Sequence, residues 1–430
     1  MKTRIAFHTL GCKLNYSETS HISKLLDHNT FEETDFKGEA DVYVINTCTV
    51  TSTAEKKCRS FARAARKRNP QSKIVFMGCY SELKAKELQD SGEIDLIIGS
   101  SNKFELPELL LSLVNGKQSE VVHVDENARD TFFSSWSSEG RTRTFLKIQD
   151  GCDYFCAYCA VPLARGASRS DTIENVIKNA KEIVAQNIKE IVLTGVNIGD
   201  FGRKNDQSFY ILLKQLSEID GLERIRISSI EPNLLTDEII TMVSQNPKIM
   251  PHFHIPLQNA HPRILKEMKR RYSHELFTEK INKINELMPD ACIAIDLICG
   301  FPGETEQDFE ESVNYLSEIN ISYLHVFPYS IRENTVAEKL SNHLPESIKK
   351  KRSKILHELS DLKKNKFYSS QKGSIHDVLF EDINHNDMIS GFTENYIRVK
   401  TNYTKELANT IVKVKLKQID TDGVYICELI

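Results

Sequence analysis

The sequence predicts an α/β protein in three parts: an N-terminal parallel α/β sheet domain, a central partial (βα)6 barrel and a small C-terminal all-β barrel. Three observations carry this. Short apolar runs alternate with polar, helix-compatible stretches over the first ~125 residues. The same rhythm resumes at 144 and runs to about 330 through six further strand–helix units. From 371 the pattern changes to short β-type runs with turns between them. A chain of 430 residues is suited to two or three domains. The boundaries that follow are 1–125, a linker at 126–143, 144–370 and 371–430.

In the first part, RIAFHTL (4–10), DVYVINT (41–47), KIVFMG (73–78) and DLIIG (95–99) read as strands. Helices are expected at roughly 17–28, 51–68 and 81–91. Cys12, Cys48 and Cys79 each stand just past one of these strands, in TLGCKLN, INTCTV and MGCY. Ligands of an open parallel sheet gather at the carboxyl ends of its strands, so three such cysteines converge on one edge. The Ser-rich stretch ARDTFFSSWSSEGRTR breaks the periodicity and reads as the linker.

The central strands are TFLKIQ (144–149), EIVLTG (190–195), RIRISSI (224–230), HFHIPL (252–257), CIAIDLI (292–298) and SYLHVF (322–327). Chemistry in such a barrel belongs at the strand carboxyl ends, and GCDYFCAYC follows the first strand directly. His252 and His254 alternate on one strand and read as packing residues. Residues 346–367 form one long charged helix. VLFED, YIRVKT, TIVKVKL and GVYICELI then build a small antiparallel barrel. Internal repeats and low-complexity segments are absent.

Hydrophobic residues make up 40% and charged residues 27%, which is the composition of a soluble globular protein. No stretch approaches the roughly 20 apolar residues of a membrane span. MKTRIAFHTL lacks the apolar core and cleavage site of a secretory signal, so the expected location is the cytoplasm. Ten cysteines in 430 residues are too sparse for a disulfide scaffold and point to metal or redox chemistry. With a formal net charge of -4, nucleic-acid contact has to come from local basic surfaces.

Cys152, Cys156 and Cys159 form CxxxCxxC. Thiolate sulfur suits zinc or an iron–sulfur cluster. A structural zinc site closes four ligands, whereas this motif has no nearby fourth Cys or His. On a cubane, three cysteines leave one iron open for a small molecule.

CxxxCxxC after the first strand of a six-unit βα barrel resembles the radical S-adenosylmethionine (SAM) enzymes, and Tyr158 before the third cysteine matches their pattern. The resemblance implies a SAM-binding [4Fe–4S] cluster on Cys152, Cys156 and Cys159. LTGVN (193–197) resembles the segment that binds the SAM amino group, implicating Thr194, Gly195 and Asn197. SSIEP, HIPLQ and DLICGFPGE follow later strands and offer Ser229, Glu231, Gln258 and Gly300 as further cofactor contacts, beside Tyr158.

The pattern TLGCKLN…NTCTVT…MGC ahead of CxxxCxxC resembles the methylthiotransferases. That family implies a second [4Fe–4S] cluster on Cys12, Cys48 and Cys79, a radical that removes hydrogen from carbon, and a C-terminal TRAM-like RNA-binding barrel. MKRRY (268–272) and FPYSIRENT (327–335) extend the likeness. Lys13 and DGCDYFCAYCAVPLARGASRS look most like the branch that methylthiolates carbon 2 of N6-threonylcarbamoyladenosine at tRNA position 37. The alternatives are the branches acting on isopentenyladenosine or on a ribosomal-protein aspartate, or a non-catalytic iron–sulfur carrier or RNA-binding module. The implied partners are the tRNA anticodon stem-loop, an external electron donor such as flavodoxin or ferredoxin, and a sulfur donor, with no membrane.

Residues 55–68 carry seven basic residues and one acidic one, with Arg59, Arg63 and Arg66 at helical spacing. These, Arg165, Arg169 and the 269–271 run KRR are candidate RNA contacts. So are Lys413 and Lys415, which alternate with Lys417 and so share one sheet face. Cys58, Cys292, Cys299 and Cys427 match no ligand position and read as packing residues. Two departures stand out from the family pattern: Asn259-Ala260-His261 where Ser-Gly-Ser is usual, and Asn334 where Gly is usual.

Overall fold

The computed structural model describes residues 2–116, 122–124, 131–137 and 142–430. The linker expected at 126–143 lies partly outside the described residues. The chain divides into two compact units. One comprises Met1–Ser138, Phe145–Asp171 and Ser330–Glu338; the other comprises Glu139–Thr144, Thr172–Tyr329 and Lys339–Ile430. Both cysteine trios fall in the first unit.

The first unit is built on a six-stranded parallel sheet of order β2-β1-β3-β4-β5-β6. Its strands are β1 (Thr3–Thr9), β2 (Phe31–Glu33), β3 (Val42–Thr47), β4 (Lys73–Gly78), β5 (Leu96–Ile98) and β6 (Val122–His123). Its helices are α1 (Lys13–Lys24), α2 (Ser52–Arg68), α3 (Cys79–Leu83), α4 (Ala85–Ser91) and α5 (Leu106–Val114). The strands bury both faces, which explains their unbroken apolar runs. Ala6, Tyr43, Ile45, Ile74 and Phe76 meet Cys58, Ala62 and Ala65 of α2 on one face. Ile5, Val42, Val44, Val75 and Met77 meet Ile22 of α1 and Leu106 and Leu110 of α5 on the other. The short strand β7 (Ser135–Trp136) pairs antiparallel with β8 (Arg143–Lys147), and β9 (Gln149–Asp150) pairs antiparallel with β10 (Arg169–Ser170) beyond the short helix α6 (Val161–Arg165).

The second unit alternates α7 (Ile173–Ala185), β11 (Glu190–Thr194), α8 (Phe209–Ser217), β12 (Arg224–Ile227), α9 (Asp237–Gln245), β13 (His252–Gln258), α10 (Pro262–Glu267), α11 (His274–Leu287), β14 (Cys292–Cys299), α12 (Glu306–Glu318), β15 (Tyr323–Pro328) and α13 (Glu346–Ser370). Strands β11 and β12 pair parallel, as do β13, β14 and β15. Single bridges link Ile225 of β12 to Ile249, just ahead of β13, and Ser229, beyond β12, to His254 of β13. This is the βα rhythm that the sequence predicts.

The tail closes into a barrel of order β16-β17-β18-β20-β19: β16 (Ile375–His385), β17 (Met388–Thr393), β18 (Arg398–Asn402), β19 (Ile411–Ile419) and β20 (Tyr425–Leu429). It differs from the sequence expectation in two ways. MISGFT forms an additional strand, and β18 and β20 run parallel where an all-antiparallel barrel was expected. β20 returns from β19 through a short turn at 420–424 as its antiparallel partner and so meets β18 in parallel, closing the barrel. Arg224 and Arg226 of β12 donate to backbone carbonyls of Asp377, Phe392 and Glu394, which ties the barrel to the βα part of its own unit.

Candidate functional site

Strands β1, β3 and β4 are immediate neighbours in the sheet, and each releases one cysteine at its carboxyl end. The last pair of the β3–β4 ladder is Thr47 with Gly78, and Cys48 and Cys79 come next in sequence. Cys12 follows Gly11 just beyond β1 and caps α1. Neighbouring strands lie about 4.8 Å apart, so the three cysteines share one stretch of the sheet edge. Among the described residues, no cysteine trio brings its ligand atoms within 4.8 Å of one another.

Two glycines shape this edge. Gly11 and Gly78 have φ of 101° and 102°, a region that side chains avoid. A Cβ on Gly11 would meet the Cys48 sulfur at 3.1 Å; one on Gly78 would meet Asn46 Oδ1 at 2.6 Å. The Gly-Cys pairs in TLGC and MGC therefore turn the strand ends sharply and keep space beside Cys48. Cys12 is exposed, Cys79 half-buried and Cys48 buried. Burial pushes the Cys48 thiol up to about 12, with the neighbouring Cys79 sulfur adding to it. A bound metal charge is what favours the thiolate at such a position.

The second trio lies on the loop between β9 and β10. Cys152 N–H donates to Gly166 O at 3.1 Å and Cys159 N–H to Cys156 O at 3.0 Å, so the loop is closed at its base and turned within. Gly151 (φ 67°) lies against the Ala167 carbonyl, where no Cβ fits. Phe155, between the first two cysteines, is 59% exposed with φ 49°. None of the ten cysteines forms a disulfide. Cys58, Cys292, Cys299 and Cys427 are buried, and burial pushes each up to about 11 or 12, as befits unreactive packing residues.

A buried ionic network lies between the two cysteine-bearing segments of this unit. Glu18, fully buried, accepts from Lys147 (2.9 Å), Arg165 (3.2 and 3.1 Å) and Lys103. Asp150 accepts from Lys147 (2.8 Å), Arg165 (3.0 Å) and Arg169 (3.3 Å). Arg165 also donates to Asn15 Oδ1 at 2.6 Å, three residues beyond Cys12. Burial alone would raise the Glu18 carboxyl; the Arg165, Lys103 and Lys147 charges overcome it and hold the group below its ordinary value. Asp150 is likewise held well below its ordinary value against its own burial. Arg165 and Arg169, expected to contact RNA, are therefore corrected. Arg165 is 3% exposed and fully engaged, and Arg169 is mostly buried with bonds to Asp150 and three backbone carbonyls.

Sequence reasoning missed Asn15, Glu18, Lys103, Lys147 and Asp150. It also missed the role of Arg332 in FPYSIRENT. Arg332 binds Glu55 (2.6 Å) and Thr49 O (3.1 Å), clasping the chain between Cys48 and α2. Asn334 has φ 63°, so the departure from Gly is tolerated by one of the few side chains at home there.

In the second unit the SAM candidates sit at strand ends. Thr194 closes β11 and is buried; Gly195 and Asn197 follow it, Asn197 also buried. Ser229 bridges to His254, and Glu231 is ion-paired with buried Arg270 of the KRR run, which removes Arg270 from the RNA candidates. Gln258 ends β13 after a bulge, with φ 64°. Gly300 (φ 77°) packs on the Lys349 side chain, and its N–H donates to Glu304 at 2.6 Å. Buried Asn259 donates to Glu304 (2.9 Å) and accepts from the His261 N–H (2.9 Å), so the first residue of the departure supports the loop. Tyr158, in the first unit, is half-buried.

The remaining RNA candidates are on surfaces. Arg59, Arg63 and Arg66 of α2 lie on one side and pair with Glu87, Glu93 and Asp95. Lys413, Lys415 and Lys417 are exposed on β19, while Val414 and Leu416 between them are buried.

Residues 4–99 match the family described as Uncharacterized protein family UPF0004, and residues 146–316 match the Radical SAM superfamily. The fold is similar to that of a radical S-adenosylmethionine methyltransferase, TsrM, from Kitasatospora setae. The TM-score is 0.56 at 13% identity, covering 79% of this chain and 77% of that one. Fold, cysteine loop and superfamily match define the class as radical SAM. The chain is 38% identical to threonylcarbamoyladenosine tRNA methylthiotransferase MtaB of Bacillus subtilis (strain 168), over 96% of this chain and 93% of the relative. It is 38% identical to MtaB of Aquifex aeolicus (strain VF5), over 95% and 99%. A tRNA-2-methylthio-N(6)-dimethylallyladenosine synthase of Clostridium perfringens is 33% identical over 96% and 95%. The chain belongs to the radical SAM tRNA methylthiotransferase family.

Proposed function

We propose that this enzyme adds a methylthio group to carbon 2 of N6-threonylcarbamoyladenosine at position 37 of tRNA. The carrying observation is the placement of Cys12, Cys48 and Cys79 at the ends of three adjacent strands, in a unit that also holds CxxxCxxC. The substrate choice is supported by two relatives at 38% identity over nearly the whole chain, both named for threonylcarbamoyladenosine. The isopentenyladenosine reading is second, because relatives of that name reach 33%.

Both trios fit a [4Fe–4S] group with one iron left open: three sulfur donors each, no fourth thiol in either local motif, and room at the Gly11 edge. When bound, the two clusters with SAM supply an electron, a carbon-centred radical and the sulfur group. Cys152, Cys156 and Cys159 hold the first group, and Cys12, Cys48 and Cys79 the second. Thr194, Gly195, Asn197, Ser229, Glu231, Gln258, Gly300 and Tyr158 hold SAM. Arg270 fixes the Glu231 carboxylate, so that group is oriented before a ligand arrives. Residues 1–125 form the second-cluster domain, 144–370 the radical SAM domain and 371–430 the TRAM-like RNA-binding domain. Arg59, Arg63, Arg66, Lys413 and Lys415 meet tRNA phosphates. The present ion pairs of Arg59, Arg63, Arg66 and Lys413 are on the surface, worth at most about 1 kcal/mol each, and exchange readily for phosphate. An external electron donor and a sulfur donor complete the system, in the cytoplasm; among the described residues no helix is long and apolar enough to cross a membrane.

The test is anaerobic reconstitution of the intact chain and of a Cys12/Cys48/Cys79→Ala variant. The intact chain should bind about eight irons, as two cubanes require. The variant should bind about half as much, still cleave SAM and form no methylthio nucleoside. Methylthiolation by the variant would refute the second-cluster assignment.

A further inference from the structure

The sheet of β13, β14 and β15 has two unlike faces. Phe253, Ile255, Ile293, Ile295, Leu297, Leu324 and Val326 are buried on one. On the other, His254 and Asp296 are half-buried, and His325 and Phe327 are exposed. Alternation along the strands places Asp296 opposite His325 in register, with His254 on the neighbouring strand. The residue expected to be a packing histidine is thus part of a polar cluster, whereas His252 does pack, stacked on Tyr396 at 4.2 Å.

The ligand atoms of His254, Asp296 and His325 lie within 4.8 Å of one another. His254 Nε2 and Asp296 Oδ1 are 2.7 Å apart, and the two imidazole rings are 5.2 Å centroid to centroid. A divalent cation held at about 2.1 Å by both atoms would keep them about 3 Å or more apart. The shorter contact is a hydrogen bond in which Nε2–H donates to the carboxylate. Asp296 thereby fixes the ring of His254. What the cluster then presents is a pair of imidazoles beside an exposed aromatic ring. That chemistry suits an anion attached to a flat base: the His325 ring N–H donates to the anion, the fixed His254 ring packs beside it, and Phe327 offers a stacking face.

We propose that His254 and His325, oriented by Asp296, form a subsite for a carboxylate carried by the substrate nucleoside. This rests on the function proposed above, because the threonyl group of threonylcarbamoyladenosine ends in a carboxylate and an isopentenyl group does not. A charge-assisted hydrogen bond discriminates by roughly 10- to 100-fold against a ligand that lacks the charge.

The experiment measures binding of two anticodon stem-loops to the reconstituted enzyme by fluorescence anisotropy. One carries threonylcarbamoyladenosine, the other its methyl ester. The intact enzyme should prefer the free acid by about 10- to 100-fold. His254→Gln and His325→Gln should each lose most of that preference while binding the ester as the intact enzyme does. Retention of the preference in both variants overturns the subsite, and so does its absence from an intact enzyme that methylthiolates the nucleoside; the substrate assignment survives either result. Loss of the preference on adding EDTA would mark an ion-bridged site and overturn direct recognition. If the intact enzyme fails to methylthiolate the acid-bearing stem-loop, the function reading falls and takes the subsite with it.

Discussion

Replacing Glu18 with Gln tests whether the buried network holds the two cysteine-bearing segments together. Gln keeps the shape but removes the charge that Lys103, Lys147 and Arg165 share. All four side chains are at most 3% exposed, so water cannot substitute for the lost carboxylate. Breaking a buried ion pair from one side costs about 3–5 kcal/mol. Trp136 is the only Trp of the chain and lies in the same unit, 8% exposed, with Lys24 Nζ 3.5 Å above its ring. Its fluorescence reports unfolding of that unit. With an m-value of about 2 kcal/mol/M in urea, the Trp136 midpoint should fall by roughly 2 M. Glu87→Gln, which loses only the surface pairs with Arg59 and Lys84, should shift it by less than about 0.5 M. A Glu18→Gln shift no larger than that of the Glu87 control would refute the network as a structural link.

The same carboxylates set a pH dependence. Glu18 and Asp150 are held below their ordinary values when folded, so the stability they contribute is present above about pH 4–5 and lost as pH falls further. Trp136 urea midpoints should drop below pH 5, and less steeply in Glu18→Gln. Gly151→Ala should cost at least about 1–2 kcal/mol of loop stability, because φ is 67° and the Ala167 carbonyl occupies the space; iron content after reconstitution should fall by about half. Replacing Lys413, Lys415 and Lys417 with Ala should weaken tRNA binding and flatten the log K against log salt slope by about 2–3.

The strands were legible because both faces of the sheet are apolar: KIVFMG coincides with Lys73–Gly78, and EIVLTG exceeds Glu190–Thr194 by one residue. The first helix was not. Periodicity placed it at 17–28, yet it spans Lys13–Lys24, because its inward side buries Asn15, Ser17, Glu18 and Thr19 as well as Leu14 and Ile22. Apolar spacing cannot report a face that is polar and satisfied inside. Arg165 and Arg169 misled for the same reason: a charged residue reads as surface unless its buried partners, here distant in sequence, are known. The placement of Cys12, Cys48 and Cys79 at three strand ends was legible from motif and strand position, but Gly11 and Gly78 became meaningful only through their backbone angles. The strand MISGFT was hidden by its central Gly391, which packs under the Leu379 carbonyl.

The most direct measurement is nucleoside mass spectrometry of bulk tRNA from cells with and without this protein. The account predicts that the 2-methylthio form of N6-threonylcarbamoyladenosine disappears in its absence and returns when the intact chain is restored, but not when Cys12, Cys48 and Cys79 are Ala. An unchanged level of that nucleoside without the protein would contradict the account.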